Sequence, residues 1–163
     1  MHRYRRDIDG LRAVAILPVV LFHARIPGFS GGYVGVDVFF VISGFLIAGI
    51  IADEIGRGSF TIAGFYERRA RRILPALFTV IAVSFALAAL IALPDAFVEF
   101  ARSAVATTLF ASNLDFWQAT DYFSSAAEYR PLLHTWSLAV EEQFYIFFPW
   151  FLVLLLRWRR NWL

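Results

Sequence analysis

The chain has 163 residues, of which 60% are hydrophobic, 18% aromatic and only 17% charged; soluble domains run at about 45–50% apolar and about 25% charged. So little polar surface excludes a disordered segment, a coiled coil and a nucleic-acid-binding module, and a net charge of +2 implies no polyanionic partner. All 15 basic residues are arginine, and the absence of cysteine excludes disulfides, thiolate metal sites and a cysteine nucleophile. The composition is that of a membrane protein.

A bilayer-spanning helix needs about 20 mostly apolar residues. In chain order, the first candidate runs from Leu11 to Ala24 and carries Arg12 and His23. Asp7, Asp9 and Arg12 precede or enter its core, which also lacks a small-residue cleavage site, so it is not a signal peptide. Arg12 and His23 are eleven residues apart, which puts them within roughly 20° on one helix face and about 16 Å apart along the axis. Pro18 lies between them, where it would free a backbone carbonyl and kink the helix. The competing account makes Arg12 an interfacial snorkeller and His23 a hydrogen-bonded core residue.

Pro27 with Gly28, Gly31, Gly32 and Gly35 predicts a tight turn into a second span, Tyr33 to Ala52, which holds Asp37. Within that span Gly44 and Ala48 form a small-xxx-small pattern suited to close helix packing. The third span, Ile73 to Leu93, has no charge inside it and ends at Pro94 and Asp95. Immediately before it stand Arg68, Arg69, Arg71 and Arg72, the strongest electrostatic feature of the chain. They read either as a positive-inside signal with headgroup attraction or as a phosphate clamp, since guanidinium forks bind phosphate in bidentate fashion.

The stretch Asp95 to Asn113 has Glu99 and Arg102 on one face and Phe97, Ala101, Ala104, Thr108 and Leu109 on another. It predicts an amphipathic helix near the outer surface, with a fifth span as the alternative. The last span, Leu132 to Leu156, holds His134, Glu141 and Glu142; His134, Leu138, Glu141 and Tyr145 form a helical row. The glutamates point about 100° apart, so one can serve as an interhelix partner, for example to Arg12 or Arg130, while the other faces a cavity.

Arg3, Arg5 and Arg6 precede the first span, Arg57 and the 68–72 group lie between the second and third, and Arg157, Arg159 and Arg160 follow the last, which predicts both termini in the cytoplasm and an outer segment from Pro94 to Pro131. The expected fold is thus all-α, a polytopic transmembrane bundle of about four spans plus that outer segment. Ionisable groups at membrane depth usually mark a functional interior. The residues alone suggest a cytoplasmic anion on the arginine cluster, with proton chemistry in a cavity lined by His23, Asp37 and the glutamate pair. A GxSxG elbow, an HExxH motif and a glycine-rich phosphate loop are all absent, and no metal is expected.

Four blocks then carry a resemblance: YRRDIDGLRAVAILPVVLFHA (Tyr4 to Ala24), GGYVGVDVFFVISGFLI (Gly31 to Ile47), FYERRARRILPA (Phe65 to Ala76) and LLHTWSLAVEEQFYIFFP (Leu132 to Pro149). In this order and spacing the sequence resembles the acyltransferase 3 family of integral-membrane O-acyltransferases. The resemblance implies transfer of an acyl group, usually acetyl, from cytoplasmic acyl-CoA to a hydroxyl of an outer glycan such as lipopolysaccharide O-antigen or peptidoglycan, in the bacterial inner membrane. It implies a transfer role for His23, an acyl-donor role for the RxxR element at Arg69 and Arg72 (with Arg68 and Arg71 in an overlapping register), and a motif position for Arg12. Asp37, Glu141 and Glu142 also fall on motif positions. Glu142, or else Asp37, is expected to orient the imidazole. Family domains have about ten helices, so the sequence is expected to be the N-terminal part of a longer enzyme, and stretches such as AEYRPLLHTWSLAVEEQFY look most like members with a fused SGNH-type domain. The rival class is a non-enzymatic transport component whose arginines bind anionic lipid.

Overall fold

A computed structural model describes residues 6–119 and 130–160. Among them are six α-helices, one short 3-10 turn and no strand. Arg3 and Arg5 of the first arginine group, and residues 120–129 of the expected outer segment, lie outside the described residues. The chain divides into two compact units, 1–60 and 61–163.

The first unit is an antiparallel helical hairpin. Helix α1 (Arg6–His23) runs without a break through Pro18, and a 3-10 turn (Gly32–Val34) leads into α2 (Gly35–Gly56). Two glycines of the turn set the contact. A Cβ at Gly32 would strike the Pro18 carbonyl, and one at Gly35 would strike the Ala15 carbonyl. These are the points where backbone meets backbone, and only glycine allows it. The expected packing pair at Gly44 and Ala48 is not used in this way: a Cβ on Gly44 would meet nothing within 4 Å. A small-xxx-small spacing marks a groove but not its occupant. The face of α2 that is buried carries Ser43, Ile47 and Ile51 instead.

The second unit opens with α3 (Ile62–Ile91), whose N-cap Thr61 accepts a hydrogen bond from the Gly64 amide. At 30 residues it is longer than the expected span and starts eleven residues earlier than Ile73. Its arginine-bearing first third precedes an apolar portion of about 28 Å, close to the thickness of a bilayer core. Helices α4 (Pro94–Thr108) and α5 (Ser112–Ala119) replace the single amphipathic helix expected after it. The break falls at Phe110, whose φ is 52°. Neither helix is long enough to cross a bilayer, which excludes the fifth span. The buried face of α4 is Phe100, Ser103, Ala104 and Thr107, whereas Thr108 and Leu109 of the expected apolar face are exposed.

Helix α6 (Thr135–Arg160) closes the unit. Its N-terminal end, α5, α4 and the last turns of α3 enclose a core of Ala88, Phe100, Ala104, Phe116 and Leu132. Polar ties surround that core. Thr107 and Thr135 share a hydroxyl bond of 3.1 Å, Ser112 donates to the Thr135 carbonyl at 3.0 Å, and the Asn113 and Gln143 amides exchange bonds of 3.1 and 2.9 Å. Gln143 also donates to the Phe110 carbonyl at 2.8 Å, which satisfies the backbone at the α4–α5 break.

Among the described residues, three helical segments are long and apolar enough to cross a membrane: Gly32–Gly56, Ile62–Ile91 and Thr135–Leu156. The expected first span is not among them. With 18 residues and Arg6, Asp7, Asp9 and Arg12 in its first two turns, α1 carries too much charge for its length. Large apolar side chains cover the outsides of the three long segments, among them Val41, Phe45, Leu90 and Phe147. That is the surface a lipid-facing helix presents.

Candidate active site

In the first unit the helix register decides which polar groups are level with one another. The contacts Gly32–Pro18 and Gly35–Ala15, with the Arg12 guanidinium 4.8 Å from the Phe39 ring centre, run antiparallel. Asp37 therefore lies level with the Arg12 to Ala15 stretch of α1. His23, at the end of α1, is about 14 Å further along the axis, beyond the reach of that carboxylate. Asp37 sits in the first turn of α2, exposed, where the positive end of the helix dipole favours a carboxylate.

The imidazole of His23 has a different orienting group. Its Nδ1–H donates to the Val19 carbonyl one turn back, at 2.8 Å. A carbonyl oxygen can only accept, so the neutral ring carries its proton on Nδ1 and its lone pair on Nε2. Phe22 meets the ring edge-on, with centroids 5.2 Å apart, and Tyr33 packs on Phe22 in the same manner at 5.7 Å. The side chain is exposed, so Nε2 is available to a reacting group.

The second unit brings three of the predicted site residues, Arg69, Glu141 and Glu142, together with Tyr145 on two neighbouring helices. Arg69 on α3 donates from Nη2 to Oε1 of Glu142 on α6 at 2.8 Å, with both side chains largely buried (14% and 11% exposed). Its guanidinium stacks on the Tyr145 ring, 3.5 Å from the centroid. Tyr145 in turn donates its hydroxyl to Oε1 of Glu141 at 2.6 Å. Glu142 and Tyr145 belong to the buried face of α6 with Thr135, Ala139 and Pro149, whereas Glu141 is only half-buried. Within this unit Glu142 is thus the glutamate that pairs across helices, and its partner is Arg69.

The other arginines of the cluster point outward. Arg68, Arg71 and Arg72 are exposed. Arg71 bonds Glu67 through Nη2 at 2.8 Å and Nε at 3.1 Å, an exposed i, i+4 pair. His134, just ahead of α6, is exposed too.

Sequence reasoning did not assign Tyr66, whose hydroxyl donates to the Ile146 carbonyl at 2.6 Å. Nor did it assign Asp115, a buried carboxylate that accepts from Arg102 Nε at 2.7 Å and Ser103 Oγ at 3.2 Å. Among the described residues no cluster of ligating side chains fits a metal ion. A groove of about 340 Å3 between Phe85 and the exposed side of α4, and a cavity of about 140 Å3 beside Glu99 and Arg130, are lined by none of the predicted site residues.

An all-α membrane fold with a free imidazole nitrogen and a cationic helix end has the parts of a membrane-bound group-transfer protein. Comparison narrows this class, because a family model described as an acyltransferase domain matches residues 5–163. The chain belongs to the acyltransferase 3 family. It is 40% identical over 158 residues to the O-acetyltransferase OatA of Staphylococcus aureus, covering 94% of this chain and 26% of that protein. It is 37% identical over 161 residues to the peptidoglycan O-acetyltransferase OatA of Listeria monocytogenes, covering 98% of this chain and 26% of that protein. The chain therefore spans about a quarter of the length of these relatives. No solved structure matches it.

Proposed function

We propose that this chain is part of a membrane-bound O-acetyltransferase that moves an acetyl group from acetyl-CoA to a hydroxyl of a cell-wall glycan, peptidoglycan before lipopolysaccharide. The relatives' names support acetyl transfer, and the Listeria protein's name supports peptidoglycan as acceptor. The observation that carries the chemistry is the His23 imidazole, with Nδ1–H spent on the Val19 carbonyl and Nε2 left as a base.

In this reading Nε2 takes the proton of the glycan hydroxyl while the oxygen attacks the acetyl carbonyl carbon. The carbon–sulfur bond breaks and the CoA thiolate leaves with a proton returned from the imidazolium. The Val19 carbonyl stabilises the imidazolium and keeps the ring in the productive tautomer. The exposed arginines ahead of Ile73 meet the CoA phosphates from the cytoplasm, the side that the arginine distribution favours for the N-terminus. Helix α2 is long enough to cross from the arginine-rich 57–72 connection to the opposite face, so His23, beside the start of α2, lies toward the outer side of the bacterial plasma membrane, where the glycan lies.

The test is His23→Ala in the full-length protein, expressed in cells lacking the native gene. Acetate released from isolated peptidoglycan by mild alkali should fall at least about 100-fold, the scale of a lost general base. Unreduced acetylation by a membrane-inserted variant removes His23 from catalysis and overturns the reading.

A further inference from the structure

We propose that the cavity between α4 and the turn leading into α6 is a subsite for an acidic arm of the acceptor glycan, with Arg130 holding its carboxylate. The proposal rests on the acetyl-transfer reading above and deepens it by naming what the acceptor presents. Ala96, Glu99, Phe100 and Ser103 lie at i, i+3, i+4 and i+7 of α4 and form one wall, and Arg130 with Leu132 forms the other. The floor is fixed, because Phe100, Ser103 and Leu132 are buried, and Phe100 and Leu132 belong to the core of this unit. In the orientation proposed above, α3 ends and α6 begins on the outer side, so the cavity opens toward the glycan.

The polar groups here suit an acidic sugar chain better than a bare anion. Nε of Arg130 is buried without a hydrogen-bond partner, and the guanidinium carbon lies 5.9 Å from the Phe116 ring centre. A buried donor left unpaired is costly, and a carboxylate is the acceptor that matches a guanidinium fork. The neighbouring Arg102 is bonded to Asp115 at 2.7 Å. Ser103 donates its hydroxyl proton to the same Asp115 at 3.2 Å, so it has lone pairs alone for a ligand in the cavity. Glu99, exposed at the rim, is a second acceptor. One cationic donor beside two acceptors fits a ligand with a carboxylate near amide N–H or hydroxyl donors. A cell-wall glycan with N-acylated sugars and peptide arms carries both. At about 140 Å3 the space is smaller than the pockets of about 300–1,000 Å3 that enclose a whole small ligand, so it takes the arm and leaves the sugar ring at the mouth.

The test uses a matched pair of probes. The full-length protein in neutral detergent is titrated by calorimetry with muramoyl dipeptide, which has a free carboxylate, and with its methyl ester, which has none. The parent should bind the acid about tenfold tighter than the ester, the scale of one charge-assisted bond. Arg130→Gln should bind both alike, at the ester's affinity. Its melting temperature should match the parent's, because the buried Nε it removes has no partner. Glu99→Ala, at an exposed position, should weaken the ester severalfold through the lost acceptor.

The proposal is overturned if the parent binds neither probe, if it does not distinguish acid from ester, or if Arg130→Gln keeps the preference. Dihexanoyl phosphatidylglycerol is titrated alongside. If Arg130→Gln loses affinity for that lipid alone, the cavity serves a lipid headgroup and the proposal falls. Binding needs no acyl donor, so the two readings fail separately. A parent that acetylates peptidoglycan without distinguishing acid from ester sinks the subsite alone. A parent that acetylates none sinks the transfer reading and leaves the titrations to decide the cavity.

Discussion

The two units of the chain are held together by different means. In the hairpin of α1 and α2 the contact is one of shape: Gly32 and Gly35 let backbone meet backbone at Pro18 and Ala15, and Arg12 lies over Phe39 across the helices. In the unit built on α3 to α6, side-chain bonds do the fastening, from the Arg69–Glu142 pair at one place to the Thr107, Ser112, Asn113, Gln143 and Asp115 ties at another. Shape contacts tolerate no added atom, whereas a network of polar ties loses strength one bond at a time. The two units should therefore answer mutation in different ways, and in a predictable order.

The largest effect is expected at Gly35. A leucine there would drive its Cβ into the Ala15 carbonyl, a backbone atom with no rotamer to escape into. Overpacking typically costs about 1–3 kcal/mol and more where the neighbour cannot move, so Gly35→Leu should sharply reduce folded, membrane-inserted protein, as read by detergent-extractable yield. Normal yield would mean that α2 can slide along α1 and that the register placing Asp37 level with Arg12 is not fixed. Next in size is Asp115→Ala. It strips the buried Ser103 hydroxyl of its acceptor and unties Arg102, which is itself mostly exposed. The cost should be about 1.5–3 kcal/mol in unfolding free energy.

A smaller loss is expected from Gln143→Leu. It removes the amide exchange with Asn113 and the bond to the Phe110 carbonyl, but the site is partly open and water replaces some of what is lost. About 1–2 kcal/mol is the expected range, measured by thermal melting of the full-length protein in detergent. If Gln143→Leu proved worse than Gly35→Leu, the contrast between the two units would be reversed.

How much of this was legible in the sequence follows the same divide. The apolar runs behind α2, α3 and α6 were legible, because 20 apolar residues in a row have few other uses. The start of α3 was not: Ile62 to Arg72 is too charged to look like a span, yet a Thr61 cap and the Glu67–Arg71 pair suffice to extend the helix upstream. The first span was the least clear, since Arg6, Asp7, Asp9 and Arg12 fall within the first two turns of an 18-residue helix. His23, Arg69, Glu141 and Glu142 could be selected by residue type at membrane depth. Which of them touch could not, because Arg69 and Glu142 are 73 positions apart and their meeting depends on how α6 returns to α3. The glycines show the limit most clearly. Gly44 and Ala48 have the packing spacing without a neighbour at Gly44, and Gly32 and Gly35, which do the packing, look like ordinary turn residues.

That last point supplies the smallest effect and the control for the largest. At Gly44 a Cβ would meet open space, and the residue lies in the middle of α2 with helical neighbours on both sides. Gly44→Ala should stabilise the helix by about 0.5–1 kcal/mol, because alanine gives up less backbone freedom on folding. Set beside Gly35→Leu, it separates a glycine required by contact from one that is merely small. A loss above about 1 kcal/mol at Gly44, outside that helix-propensity range, would show that something packs there in the full-length protein in its membrane. The small-xxx-small pattern would then be a seat for another helix of the whole enzyme, and the hairpin would be tied to its surroundings by the same kind of contact that holds α1 to α2.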